Sequence, residues 1–232
     1  MSRTAKILII EDEQAIRAGL IDVLVYHGFA PDAAEDGQSG LDKALSGQYD
    51  LILLDVMLPK LNGFEVCERI READREQAII MLTAKSGDED IIHGLQLGAD
   101  DYVAKPFSVA QLVERIKAVL RRAKVGQEEA HTLCFGEMEV DTRNLCGRRN
   151  NDEIAFTRRE MDVLQYLHKH SDRPVPREEL LARLWGYARN LNIETRTVDI
   201  HIAKLRRKIE PDPAQPQHLL TVRGAGYRLM VD

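Results

Sequence analysis

Asp50-Leu51-Ile52-Leu53-Leu54-Asp55-Val56-Met57-Leu58-Pro59 decides how the first half of the chain is read. Four consecutive apolar residues, bounded by Asp50 and Pro59, predict a short strand covered on both faces, as in a parallel sheet. Asp55 follows the run directly. Its carboxylate is therefore expected at the carboxyl end of the strand, where open α/β sheets place their ligand crevice.

Working outward, strand-like runs alternate with amphipathic ones across residues 6–123. Apolar runs at residues 7–10, 51–54, 78–82 and 102–104 read as strands. Residues 29–31 read as an edge strand, because Pro31 cannot donate to a central ladder. Helical periodicity covers residues 13–26, 37–46, 64–72, 88–97 and 108–122, with Gly47 and Gly98 placed as stops. Five βα units with short connections predict a five-stranded doubly wound parallel sheet.

The strand ends carry the chemistry. The first ends in Glu11-Asp12-Glu13, the third in Asp55, the fourth in Thr83-Ala84 and the fifth in Lys105-Pro106. Carboxylates from two strands suit a hard cation such as Mg²⁺, which prefers oxygen ligands. A threonine hydroxyl and a lysine ammonium suit an anion. A cation cluster beside an anion clamp is an arrangement for phosphoryl chemistry at Asp55.

The chain has 232 residues, enough for two modest domains. Its 44% hydrophobic and 30% charged residues place it with globular proteins rather than disordered or fibrous ones. No apolar run reaches transmembrane length, and the four apolar residues before Glu11 are too few for a signal-peptide core. Cys67, Cys134 and Cys146 are odd in number and far apart, which fits a reducing cytoplasm better than a disulfide framework or a zinc site. Charge is uneven: residues 1–124 hold 15 Lys/Arg and 21 Asp/Glu, whereas residues 125–232 hold 17 of each. That asymmetry points to two functional units.

Residues 124–131 lack apolar periodicity and read as the linker between a domain over 1–123 and one over 132–232. Beyond it, short strands are expected at residues 134–135, 138–140, 144–146 and 154–156, with turns at 141–144 and 148–152. Thr157 stands three residues before Glu160, a capping-box pattern at the head of a helix. A second helix is expected over residues 177–185, between Pro176 and Gly186. A third covers residues 194–209, with a core face of Val198, Ile202, Leu205 and Ile209 at spacings of 4, 3 and 4. Its other faces carry Arg196, His201, Lys204, Arg206, Arg207 and Lys208. Two strand-like segments then flank Gly224-Ala225-Gly226, with Arg223 and Arg228 placed near the tip. A basic helix followed by a basic hairpin predicts a winged helix-turn-helix that binds DNA.

The strings Leu53-Leu54-Asp55-Val56-Met57-Leu58-Pro59 and Gly98-Ala99-Asp100-Asp101-Tyr102-Val103-Ala104-Lys105-Pro106-Phe107 resemble those of response-regulator receiver domains, with their flavodoxin/CheY-like fold. The strings Arg196-Thr197-Val198-Asp199-Ile200-His201-Ile202, Leu205-Arg206-Arg207-Lys208 and Thr221-Val222-Arg223-Gly224-Ala225-Gly226-Tyr227-Arg228 resemble the output domain of the OmpR/PhoB family. The resemblance implies a transcription regulator, not an enzyme, that takes a phosphoryl group on Asp55 from a sensor histidine kinase. Glu11, Asp12, Asp55 and the Met57 backbone carbonyl would hold Mg²⁺, and Thr83 and Lys105 the phosphate oxygens. It further implies a cis Lys105–Pro106 bond and a switch made by Thr83 and Tyr102. The implied homodimer forms through the fourth helix, fifth strand and fifth helix, with Asp100, Asp101, Arg115, Lys117, Arg121 and Arg122 in its charge network. Ile91 and Gln111 depart from that network, and Ile91 could add apolar contact instead. Promoter DNA would meet Arg196, Thr197, His201, Lys204 and Arg206 in the major groove and Arg223 on the wing. Ala203 stands where some members carry a DNA-contacting arginine. Residues 185–192 match the loop that touches RNA polymerase.

Two other readings are open on the residues alone. A metal-dependent phosphohydrolase using Asp55 as nucleophile would want a second acid two positions on, where Met57 stands. A partner-governed module without phosphorylation would be expected to have a degenerate pocket, and this set is complete.

Overall fold

The computed structural model describes residues 3–83, 88–122, 132–150, 152–186 and 196–231. The chain divides into two compact units, Met1–Lys124 and Val125–Asp232. Among the described residues no helix is long and apolar enough to cross a membrane. The linker expected at 124–131, and residues 187–192 of the loop expected to touch polymerase, lie outside the described residues, as do the Arg121 and Arg122 side chains.

In the first unit, β1 (Lys6–Ile10), β2 (Ala30–Ala34), β3 (Leu51–Asp55), β4 (Ile79–Thr83) and β5 (Asp101–Ala104) alternate with five helices. These are α1 (Gln14–Tyr26), α2 (Gly37–Ala44), α3 (Gly63–Ala73), α4 (Asp88–Leu97) and α5 (Val109–Arg122). All strands are parallel, in the order β2-β1-β3-β4-β5. Pro31 sits on the edge strand β2, where its missing N–H costs no ladder bond on the open side. Ile7, Ile9, Leu51, Leu53, Ile80 and Leu82 pack with Leu20 and Leu24 of α1 and Leu112 and Ile116 of α5. The alternate residues Leu8, Ile10, Ile52 and Leu54 are equally buried, so the central strands are covered on both faces.

The second unit opens with an antiparallel meander, β6 (Thr132–Phe135), β7 (Met138–Asp141), β8 (Cys146–Arg149) and β9 (Asp152–Ala155). Here the expected strand at 144–146 and turn at 148–152 are corrected. Arg148 and Arg149 belong to β8, paired with Glu153 and Asp152, and the chain turns at Asn150, whose φ is 57°. Arginines pointing off a two-sided sheet carry no apolar alternation, so the strand was masked by its charges.

Then come α6 (Arg158–Lys169), α7 (Arg177–Leu180) running on as a π-helical turn (Leu181–Trp185), and α8 (Arg196–Ile209). The hairpin β10 (Leu219–Val222) and β11 (Gly226–Leu229) closes the unit. Val175 adds a bridge to Tyr227, exchanging N–H···O bonds of 2.7 and 2.9 Å. Gly226 has φ 123°, and a Cβ there would stand 2.0 Å from the Val175 carbonyl oxygen, so the bridge requires glycine. This is the winged helix-turn-helix the sequence predicts. Val198, Ile202, Leu205 and Ile209 enter its core with Trp185, Leu164 and Leu219.

A buried ion cluster fastens α8 to α6. The Thr157–Glu160 capping box forms, with Thr157 N donating to Glu160 Oε2 at 2.9 Å. The same carboxylate, 0% exposed, takes Lys204 Nζ at 3.0 Å on Oε1 and Lys208 Nζ on Oε2. Burial pushes the Glu160 carboxyl up, but Lys204 and Lys208 beside it overcome this and hold it at about 2. A depressed folded-state value stabilises the fold above the carboxyl's ordinary 4.5, a contribution lost as pH falls toward about 2. Glu160→Gln is therefore expected to cost about 3 kcal/mol at pH 7, because two ammonium groups lose their counter-charge. Urea unfolding at pH 7 and pH 3 checks this: the gap between wild type and variant should shrink at the lower pH.

Candidate functional site

The parallel register lines up the strand ends. Ile10 pairs with Leu54, Asp55 with Leu82 and Thr83 with Ala104, so Glu11, Asp55, Thr83 and Lys105 share one edge. The edge lies where the strand order reverses between β1 and β3, the crevice position of doubly wound sheets. Backbone bonds continue past the strands and hold the edge rigid: Glu11 N to Ala34 O (3.1 Å), Val56 N to Leu82 O (3.0 Å) and Lys105 N to Thr83 O (2.7 Å).

Glu11, Asp12 and Asp55 offer carboxylate oxygens within 4.8 Å of one another. Lys105 Nζ donates to Glu11 Oε1 and Asp55 Oδ2, both at 2.9 Å. Glu11 Oε2 stands 2.8 Å from the same nitrogen but outside hydrogen-bond geometry, which leaves a buried oxygen open to a further ligand. Burial lifts the Glu11 carboxyl to about 6, with Lys105 opposing that rise and Asp55 adding to it. Burial lowers the Lys105 ammonium, but its bonds to Glu11 and Asp55 outweigh this and leave it raised. Three clustered carboxylates, two of them bonded to one ammonium, carry surplus negative charge. An oxygen-only donor set of this kind fits a hard divalent cation.

The other residues expected at the site are placed as follows. Thr83 is 2% exposed at the end of β4. The Lys105–Pro106 bond is cis. Tyr102, half-buried on β5, accepts a backbone bond from Arg115 at 2.6 Å. Met57 is exposed at the rim, its N–H 3.4 Å from Asp55 Oδ1. The loop after β3 is built for close approach: a Cβ on Gly63 would stand 2.0 Å from the Asp55 carbonyl oxygen. Lys60 adopts φ 68° in this loop, where its Nζ donates to the α2 cap Asp36 at 2.7 Å. That bond is chief among those holding the Asp36 carboxyl down at about 2.

Two expected dimer residues turn inward. Asp100, 4% exposed, pairs with Arg71 at 3.0 Å and accepts from Ile79 N at 2.8 Å. Asp101, 1% exposed, pairs with Arg115 of its own α5 at 3.2 Å. Both carboxylates and Arg115 are thus engaged inside the domain, and Ile91 is buried as well. Of the expected set, Lys117 is on the surface, beside Glu114.

The expected DNA-facing set also needs correction. Thr197, His201 and Lys204 are buried, because α8 is covered along two adjacent stripes. One stripe is the apolar face. The other, at 197, 201, 204 and 208, lies against α6 and Trp185: His201 packs on the Trp185 ring at 5.3 Å, and Lys204 and Lys208 meet Glu160. Arg159 completes the stack, 4.7 Å over Trp185. The outward stripe is Arg196, Asp199, Ala203 and Arg207. Arg207 was not among the expected contacts, although its position opposite the core face at Val198 and Ile202 marked it. Arg206 is partly buried, donating to Leu219 O and Thr221 Oγ1. Arg223 is exposed, whereas Arg228 sits down the strand and donates to Ser171 O at 2.9 Å, away from the tip.

Residues 7–117 match the family described as response regulator receiver domain, and residues 151–229 match transcriptional regulatory protein, C terminal. The response regulator ArlR of Staphylococcus haemolyticus is 41% identical over 221 residues, 95% of this chain and 97% of its own. The sensory transduction protein RegX3 of Mycobacterium bovis is 40% identical over 225 residues, 96% and 98% of the two chains. A solved RitR mutant superposes with TM-score 0.76 at 30% identity, covering 98% of this chain and all of that one. DrrB, an OmpR/PhoB homologue from Thermotoga maritima, gives TM-score 0.53 at 30% identity over 98% of this chain. A doubly wound receiver joined to a winged-helix output domain, matched along nearly its whole length, makes this chain a member of the OmpR/PhoB family of two-component response regulators, transcription regulators rather than enzymes.

Proposed function

We propose that Asp55 accepts a phosphoryl group from a sensor histidine kinase and that this event controls binding to promoter DNA. The observation that carries the reading is the Lys105 ammonium bonded at once to Glu11 and Asp55 on the strand edge. An Asp55 oxygen attacks phosphorus as the donor's P–N bond breaks and the leaving imidazole takes a proton. Lys105 and Thr83 then meet phosphoryl oxygens. Glu11, Asp12, Asp55 and the Met57 carbonyl would hold Mg²⁺, which when bound offsets the charge of the incoming group.

The added charge rewards only arrangements of β4 and β5 that bring Thr83 and Lys105 onto it, biasing a two-state element in which Tyr102 takes part. Homodimerisation through α4, β5 and α5 follows in this reading. Because Asp100 and Asp101 are engaged internally, it relies more on Lys117 and the end of α5, or on repacking of these pairs. On DNA, Arg196 and Arg207 of α8 enter the major groove and Arg223 approaches the minor groove. The chain acts in the cytoplasm, with RNA polymerase as its further partner.

Asp55→Ala is expected to abolish the gain in DNA affinity that acetyl phosphate with Mg²⁺ gives the wild type, while basal affinity persists; sedimentation and DNA titration measure both. Equal gains in the two proteins would sink the proposal. Asp12→Asn is expected to leave the cation-free receiver folded, since Asp12 is exposed. The same variant should lose most of the rise in melting temperature that Mg²⁺ gives the wild type. Arg207→Ala is expected to weaken binding and relax base preference at one operator position, read by titrating single-base operator variants.

A further inference from the structure

We infer that Arg206 acts on DNA through the wing, as a positioning residue, and not by reading a base. The inference rests on the proposal that Arg223 contacts DNA, and it goes beyond that proposal by saying what aims the wing.

An arginine reads guanine with two parallel N–H bonds from one edge of its fork. In Arg206 those donors are committed. Nε and Nη2 both donate to Leu219 O, at 2.9 and 2.7 Å, and Nη2 also donates to Thr221 Oγ1 at 2.8 Å. Nη1 alone cannot form the two-bond grip. The bonded atoms belong to β10, and Thr221 lies two residues before Arg223. Arg206 thus ties α8 to the strand that leads directly to the wing tip.

A second tie joins the other strand. Tyr227 of β11 donates its hydroxyl to Asp199 Oδ1 at 2.5 Å, and Arg177 Nε donates to the same oxygen at 2.7 Å. Arg177 Nη2 donates to the Tyr227 hydroxyl at 2.8 Å and its guanidinium stacks 4.5 Å over the tyrosine ring. Arg206 approaches the same ring at 5.8 Å. Asp199 and Arg206 are seven residues apart, two turns along one side of α8, so each wing strand is held at its own level of the helix. The Asp199 carboxylate, on the outward stripe where phosphates would repel it, is neutralised by Arg177 in the same contact.

The test uses the full-length chain, with acetyl phosphate and Mg²⁺, on an operator selected from a random DNA pool. Affinity is measured across a salt series for wild type, Arg223→Ala, Arg206→Ala, Arg206→Ala with Arg223→Ala, and Tyr227→Phe, with melting temperatures as a fold control. Arg223→Ala is expected to weaken binding about tenfold and lower the salt slope by about 1. Arg206→Ala and Tyr227→Phe should each reproduce much of both effects with base preference unchanged, and the double variant should be no weaker than about the worse single. Tyr227→Phe changes no charge, so a lowered salt slope there reports displacement of Arg223 rather than a lost cation. It also carries the test if Arg206→Ala melts early. Additive losses in the double variant, or an altered base preference for Arg206→Ala, would overturn the inference by making Arg206 a direct contact. No effect from Arg223→Ala would instead overturn the wing proposal on which it rests.

Discussion

One ammonium among three carboxylates governs the receiver. Lys105 directly follows the fifth strand and reaches the ends of the first and third, so it can do so only if the strand register is right to the residue. A slip of one residue in any central strand would send the acidic side chain into the opposite face. The buried leucines and isoleucines that fix this register are therefore also what place the chemistry. The cluster is not arranged for maximal stability: its surplus of negative charge is a standing cost, tolerated in the way functional sites commonly are.

The same logic recurs in the output domain with a different emphasis. There a buried glutamate with two lysines fixes the recognition helix, and arginines fix the wing to it. Most basic residues of α8 thus serve the protein rather than the ligand. A helix read as cationic in sequence presents a much more modest charge to its partner.

How much could be read beforehand follows from range. The receiver strands and the polar residues at their ends were legible because each depends on a local apolar run and the polar residue that ends it, whereas the order of the strands is set by pairing between distant segments. The capping box at Thr157 and Glu160 was legible for the same reason. What escaped was set by distant partners. Asp100 looked like a surface acid until Arg71, far away in sequence, was brought beneath it, with further bonds to Gly98 O and Gln77 O. Lys204 looked solvent-facing until α6 supplied Glu160. A single stripe of apolar residues on α8 revealed one buried side, while the second, polar and largely buried, carried no periodic signal of its own.

The narrowness of the outward stripe of α8 has an evolutionary consequence. Two flanks of the helix are tied into packing and ion pairs, so substitutions there put folding at risk before they alter recognition. Ala203 and Arg207 of that stripe are exposed. With the DNA contacts proposed above, duplicated copies of such a gene can drift apart in the promoters they serve through changes at a handful of codons, with the scaffold left untouched.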